Sequence, residues 1–185
     1  MMKRLTLPLA ALALTLPGVA LAQATDTSTK TVGIVGTVPQ MCFAGTLTGS
    51  GSFDLGILID TTTGQLRNDL SAPAQMLVGS FCSSRSTITV SATPLVAQDF
   101  TAAAPNGFSR SVDYTATASG WTTTPASFTT SAASNPAAIQ TRPTAFTGDI
   151  AVAISGFATT GGSSLRLVAD EDYRGLVTVT IAAVN

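Results

Sequence analysis

KTVGIVGTVPQMC, residues 30–42, is the stretch whose reading decides the fold. Val32, Ile34, Gly36 and Val38 alternate with Thr31, Gly33, Val35 and Thr37, which is the two-residue period of a β-strand. A strand is expected over residues 29–38, ended by Pro39 and leading into Cys42, the first of two cysteines. A sheet-forming segment tethered just before a cysteine can pair with its own domain or with a neighbour's. Both pairings stand at this point.

Upstream, Met1 to Arg4 form a short basic start and residues 5–16 an apolar run. Pro17-Gly18 breaks the run ahead of Ala20-Leu21-Ala22, a small-x-small cleavage signature. The run is shorter than the ~20 residues of a membrane span. Residues 1–22 therefore read as a Sec signal peptide cleaved before Gln23, which sends the chain out of the cytoplasm and predicts no membrane span in the mature protein. Cleavage would remove Lys3 and Arg4 and leave seven basic against ten acidic residues, a net charge of −3. Such a balance gives no electrostatic footprint for nucleic acid. Only 10% of the chain is charged, against roughly 25% in average soluble domains. Solubility then falls to Thr, Ser, Asn and Gln, a composition suited to the wet faces of strands.

Cys42 and Cys82 are an even pair in a chain read as exported, so a disulfide is the default expectation, with two free buried thiols as the alternative. Downstream, short alternating runs recur at 41–47, 52–59, 75–82, 87–93, 111–121, 149–157, 165–168 and 175–184. Pro94 is expected to end the run at 87–93. In the last run Val177, Val179 and Ile181 share a face. Residues 60–70 read as a polar excursion, and residues 126–130 and 138–141 as edge pieces within a Thr-, Ala- and Pro-rich stretch. Short strands, turn signals between them and no convincing helix point to an all-β antiparallel sandwich. An N-terminal extension, 23–38, precedes one domain, 39–185.

The chain has no histidine, which removes Ser-His-Asp and Cys-His catalysis and histidine-ligated zinc. No phosphate-cradling glycine loop and no nucleophile elbow occurs. Asp170-Glu171-Asp172 lacks the alternating ligand spacing of a calcium loop and reads as a solvated turn. Trp121 reads as a core or edge residue. No catalytic, cofactor or metal residue is expected.

Several of these features occur together in one family. The alternating strand ahead of Cys42 is followed by SFDLGIL with Phe53, Leu55 and Gly56, then by GSFC running to TITVSA over residues 79–92. A VDY segment, Val112 to Tyr114, and a terminal DYRGLVTVTI, residues 172–181, complete the set. In this order the chain resembles the spore-coat-protein-U-like domain of chaperone–usher pilus subunits, and more loosely type 1 pilins. The resemblance implies an immunoglobulin-like sandwich that is incomplete, lacks its last strand and is completed by a donor strand. It implies as partners a periplasmic chaperone, an outer-membrane usher and like subunits in a head-to-tail polymer. The donor face would be Val32, Ile34, Gly36 and Val38, inserted by strand addition, and the location the periplasm and then the cell surface. The expected role is that of a structural, non-enzymatic subunit of a fimbrium or coat. The alternatives are a self-complete secreted sandwich that binds carbohydrate or protein through loops 97–110 and 122–147, and a small hydrolase with two convergent carboxylates.

Overall fold

The computed structural model describes residues 27–184. The expected signal peptide, 1–22, and residues 23–26 lie outside the described residues. Two units are distinguished, one ending at Thr37 and one beginning at Val38.

In the described part of the first unit, residues 27–37, no strand forms. The strand expected over 29–38 is absent, although Val32, Ile34, Gly36 and Val38 recur at the two-residue period. Alternation makes a segment competent for a sheet. A strand exists only where another strand takes its N–H and C=O groups.

The second unit carries eleven strands. They are β1 (Cys42–Phe43), β2 (Thr46–Thr48), β3 (Gln75–Cys82), β4 (Ser86–Ala97), β5 (Phe108–Ser109), β6 (Ser111–Ser119), β7 (Ala126–Thr129), β8 (Ile139–Arg142), β9 (Phe146–Thr159), β10 (Arg166–Leu167) and β11 (Tyr173–Ala183). One 3₁₀ turn, Pro136–Ala138, precedes β8. The fold is an all-β antiparallel sandwich. One layer runs β1–β3–β9–β6, with β2 beside β3 and β7 beside β6. The other is β4 flanked by β8 and β11. This is the A-B-E-D and C-F order of immunoglobulin sheets. Among the described residues no strand takes the place beside β11 that the last immunoglobulin strand would fill.

The strand β4 joins the layers. Its first residues, 86–89, pair with β8, and Leu95 and Val96 pair with Val112 and Ser111 of β6, while β11 runs beside it from Ser86 to Ala97. Pro94 therefore does not end the strand, contrary to expectation. Proline removes one ladder donor and is tolerated at a bulge, and β11 supplies one opposite it, between Arg174 and Leu176. Gly175 sits in that bulge, where an added Cβ would lie 2.8 Å from the Thr93 carbonyl oxygen. Only glycine lets the two backbones approach so closely.

Trp121, Ile88, Ile150, Val90 and Val112 are fully buried at the centre. Trp121 stacks on Phe146 with ring centroids 4.3 Å apart. Arg142 lies over the other side of that contact, 4.8 Å from the Phe146 centroid, and its Nη1 donates to the Trp121 carbonyl. Two expectations are corrected here. The two-residue period of the run at 111–121 sets Val112 and Tyr114 on one face and Ser111 and Asp113 on the other; instead Asp113 is buried along with Val112 and Tyr114, where the β6–β9 register slips between Asp113 and Thr115. The Thr130 and Thr160 hydroxyls donate to its carboxylate at 2.8 and 2.6 Å, which offsets the cost of burying it. The run at 52–59 is not a strand but an irregular segment with one bridge, Ile59 to Leu66. Asp54 Oδ1 accepts the Gly56 N–H, and Gly56 turns left-handed at φ +62°, which breaks the extended run. By contrast β3 matches its expected bounds, and β7 and β8 fall within one residue of the two expected edge pieces.

The Cys42–Cys82 disulfide is present and joins β1 to β3. It pins a strand of only two residues, at the point where the chain enters the sheet. Replacing both cysteines by serine is expected to lower unfolding free energy by about 2–4 kcal/mol, read as a shift in the urea midpoint. Trp121→Ala is expected to cost roughly 3–5 kcal/mol by opening a cavity. Trp121→Phe should cost clearly less, since the indole Nε1 has no protein acceptor to lose.

Candidate functional site: an open sheet edge and the cavity at its head

The edge follows from the sequence of β11, YRGLVTVTIAA. Val177, Val179 and Ile181 point to the core and pack against it, yet remain only partly buried. Thr178, Thr180 and Ala182 face outward. Opposite Val177, Val179 and Ile181, β4 supplies Ala92, Val90 and Ile88. On its other side β11 has no partner strand among the described residues, so alternate N–H and C=O groups along it face outward unbonded.

Proteins usually blunt such an edge with shortness, proline or lysine. The other edges are short: β1 has two residues, and β7 and β8 four each. Eleven residues long, β11 has no proline and no lysine, and its one charge is Arg174, paired with Asp172 at 2.7 Å. Its foot is anchored by the Val184 N–H, which donates to the Arg85 carbonyl. Near its head the Tyr114 hydroxyl donates to the Leu176 carbonyl at 3.2 Å.

At that head lies a cavity of about 760 Å³. Phe53, Leu55 and Ile57 of the irregular segment form one wall, and Leu95, Phe108 and Leu167 are among the others. Sequence reading missed this site because residues 52–59 alternate like a strand. The Asp54-x-Gly56 turn signal was the available warning.

Asp170, Glu171 and Asp172 also line the cavity. Asp170 is occupied by main chain: Oδ2 accepts the N–H groups of Asp99 and Phe100, and Oδ1 that of Asp172. These bonds, Phe100's first, hold its carboxyl below the usual carboxylate range. The triplet thus ties loop 97–110 to the start of β11. Among the described residues no three His, Cys, Asp or Glu side chains are placed to hold a metal.

None of the four expected donor-face residues is part of a strand. Val32 is 84% exposed, Ile34 97% and Val38 89%, and a Cβ added to Gly36 would meet nothing within 4 Å. Residues 97–110 border the cavity through Phe108, whereas Thr122–Thr124 and residues 140–144 line a separate shallow depression. No family model, no curated protein and no solved structure matches this chain.

Tyr173, on the cavity wall, donates its hydroxyl to the Val168 carbonyl at 2.9 Å. Burial, helped by the Asp170 carboxylate, pushes its phenol up to about 12, from an ordinary value near ~10. The raised value favours the protonated folded state, so this contribution is full below pH ~10 and is lost as pH rises through about 12. Burial raises Tyr114 as well. Denaturation followed from pH ~10 to ~12 should show stability falling, and Tyr173→Phe should flatten that fall while leaving neutral-pH folding intact.

Proposed function

We propose that this chain is a structural subunit of a bacterial surface fibre, a chaperone–usher pilus or a coat, assembled by exchange of a β-strand between copies. The observation that carries this reading is the long, unguarded edge of β11 with half-buried Val177, Val179 and Ile181 beneath it. The supporting observation is a segment of this same chain whose apolar residues recur at the complementary two-residue period and are almost wholly exposed. In the proposed polymer, Val32, Ile34, Gly36 and Val38 of one copy cover that groove in the next. Main-chain hydrogen bonds give the affinity and the alternate side chains set the register. Burying Val32, Ile34 and Val38 contributes roughly 1.5–3 kcal/mol each before ordering costs.

A strand passed head-to-tail is a heterologous contact, which builds open filaments. The same edge would be an aggregation hazard for a lone subunit. A periplasmic chaperone that covers it before assembly, and an outer-membrane usher that receives it, are the partners this reading requires. Sec export, passage through the periplasm and display on the cell surface belong to the same proposal, as does the absence of catalysis.

The cavity supports a second reading, a self-complete secreted module that binds a ligand, since its volume lies within the range of small-molecule sites. One gel separates the two. The exported chain, run in SDS without boiling, is expected to give a ladder of multimers that collapses to monomer on boiling. Ile34→Asp should abolish the ladder without changing the monomer's disulfide. Monomer in every lane would sink strand exchange and favour the binding module.

A further inference from the structure

Three asparagines fall among the described residues, and their surroundings differ in the respects that govern amide chemistry. Asn135 is followed by Pro136, which has no main-chain N–H. Its side-chain amide is also held on both sides, with Oδ1 accepting the Thr129 N–H at 2.7 Å and Nδ2 donating to the Thr129 carbonyl at 3.1 Å. Asn68 is exposed but precedes Asp69, whose Cβ crowds the intervening peptide and whose carboxylate disfavours an anionic nitrogen there.

Asn106 is different. It is exposed and precedes Gly107 in a four-residue turn closed by the Phe108 N–H donating to the Pro105 carbonyl at 3.0 Å. Gly107 takes φ +83°, the left-handed value that the third residue of a type II turn requires. Nothing lies within 4 Å of where a Cβ would stand on Gly107, and its N–H has no acceptor among the described residues. Among the described residues no hydrogen-bond partner holds the Asn106 side-chain amide. The nitrogen that would attack it belongs to the next residue and is unhindered.

We propose that the exposed Asn106–Gly107 turn, on the edge of the cavity at the head of β11, is a site of spontaneous deamidation. The Gly107 nitrogen gives its proton to solvent base and bonds to Asn106 Cγ. Nδ2 takes a proton from solvent, the Cγ–Nδ2 bond breaks and ammonia leaves, closing a succinimide. Water then opens the ring at either carbonyl, to give aspartate or isoaspartate. No enzyme, oxidant or partner subunit is needed, only water.

The product carries a new negative charge two residues from Phe108, which lines the cavity with Asp170, Glu171 and Asp172. The isoaspartate form adds one carbon to the main chain one residue ahead of β5. That lengthening falls beside the Arg166 N–H, which donates to the Gly107 carbonyl at 3.0 Å, and beside the two-residue β5–β10 pair. An aged molecule is therefore expected to be more acidic and looser at the cavity wall, with the rest of the sandwich unchanged.

The test is to hold the folded, full chain at mildly alkaline pH and to map mass gains by peptide after digestion. The expected result is a one-dalton gain on the peptide containing Asn106, split into aspartate and isoaspartate forms. Asn135 should stay unmodified, and Asn106→Gln should remove the gain. An unchanged Asn106 in folded protein, while the same chain converts in denaturant, would overturn the proposal by showing that the turn protects the amide. A gain that appears first at Asn68 would overturn it as well.

Discussion

The sandwich depends on one strand serving two sheets. Over residues 86–89 β4 lies between β8 and β11, and at Leu95 and Val96 it is paired with β6 of the other layer while β11 follows it as far as Ala97. Proline at position 94 withholds a donor where the strand changes allegiance, and the bulge at Gly175 means that β11 does not need it. Because β4 and β11 bend together, Ile88 and Val90 are carried over Trp121 and Ile150, where the two layers close. A side chain at 175 would push the strands apart at that bend, and the loss would be felt throughout the core, since packed interiors transmit small displacements.

The same bend creates the unfinished edge. With β4 held by β8 on one side, β11 is the outermost strand of its layer, and the layer stops there among the described residues. A layer of three strands, one of them the four-residue β8, leaves part of the core built by the wider sheet opposite uncovered. The inward residues Val177, Val179 and Ile181 accordingly remain half-buried although their register is correct. Incompleteness is thus a geometric result of strand count and not of weak local sequence. An edge with neither lysine nor proline is tolerable only if something covers it, and that requirement links the fold to the proposed assembly.

Most of the strands were legible because burial on one face imposes a period of two. The inward set in β11 and the bounds of β3 follow directly from Val177, Val179, Ile181 and from QMLVGSFC. The Cys42–Cys82 bond was legible from cysteine count and the expected compartment. Where the period failed, a specific backbone event intervened. At Asp113 a register slip turned an outward position inward, and two threonine hydroxyls made the burial tolerable. At Asp54 and Gly56 a side-chain-to-backbone bond and a left-handed glycine replaced a strand with a cavity wall. At Pro94 a bulge at Gly175, on a strand distant in sequence, rescued a strand that proline would otherwise have ended. Each event is a long-range or turn-level decision, which alternation alone does not encode.

Residues 29–38 are the sharpest instance. Their alternation is as regular as that of β11, and yet they form no strand, because pleating specifies a face and leaves the partner unspecified. The two segments are complementary in what they lack. One has apolar side chains at period two with no core to bury them in, and the other has a core and a backbone edge with no strand to close them. Gly36 extends the complementarity to shape, because a residue without a Cβ allows the closest backbone approach wherever the groove is narrow. On the proposed reading, these are the two halves of one sheet contact, and a second copy of the chain would supply the strand that closes the open edge of the first.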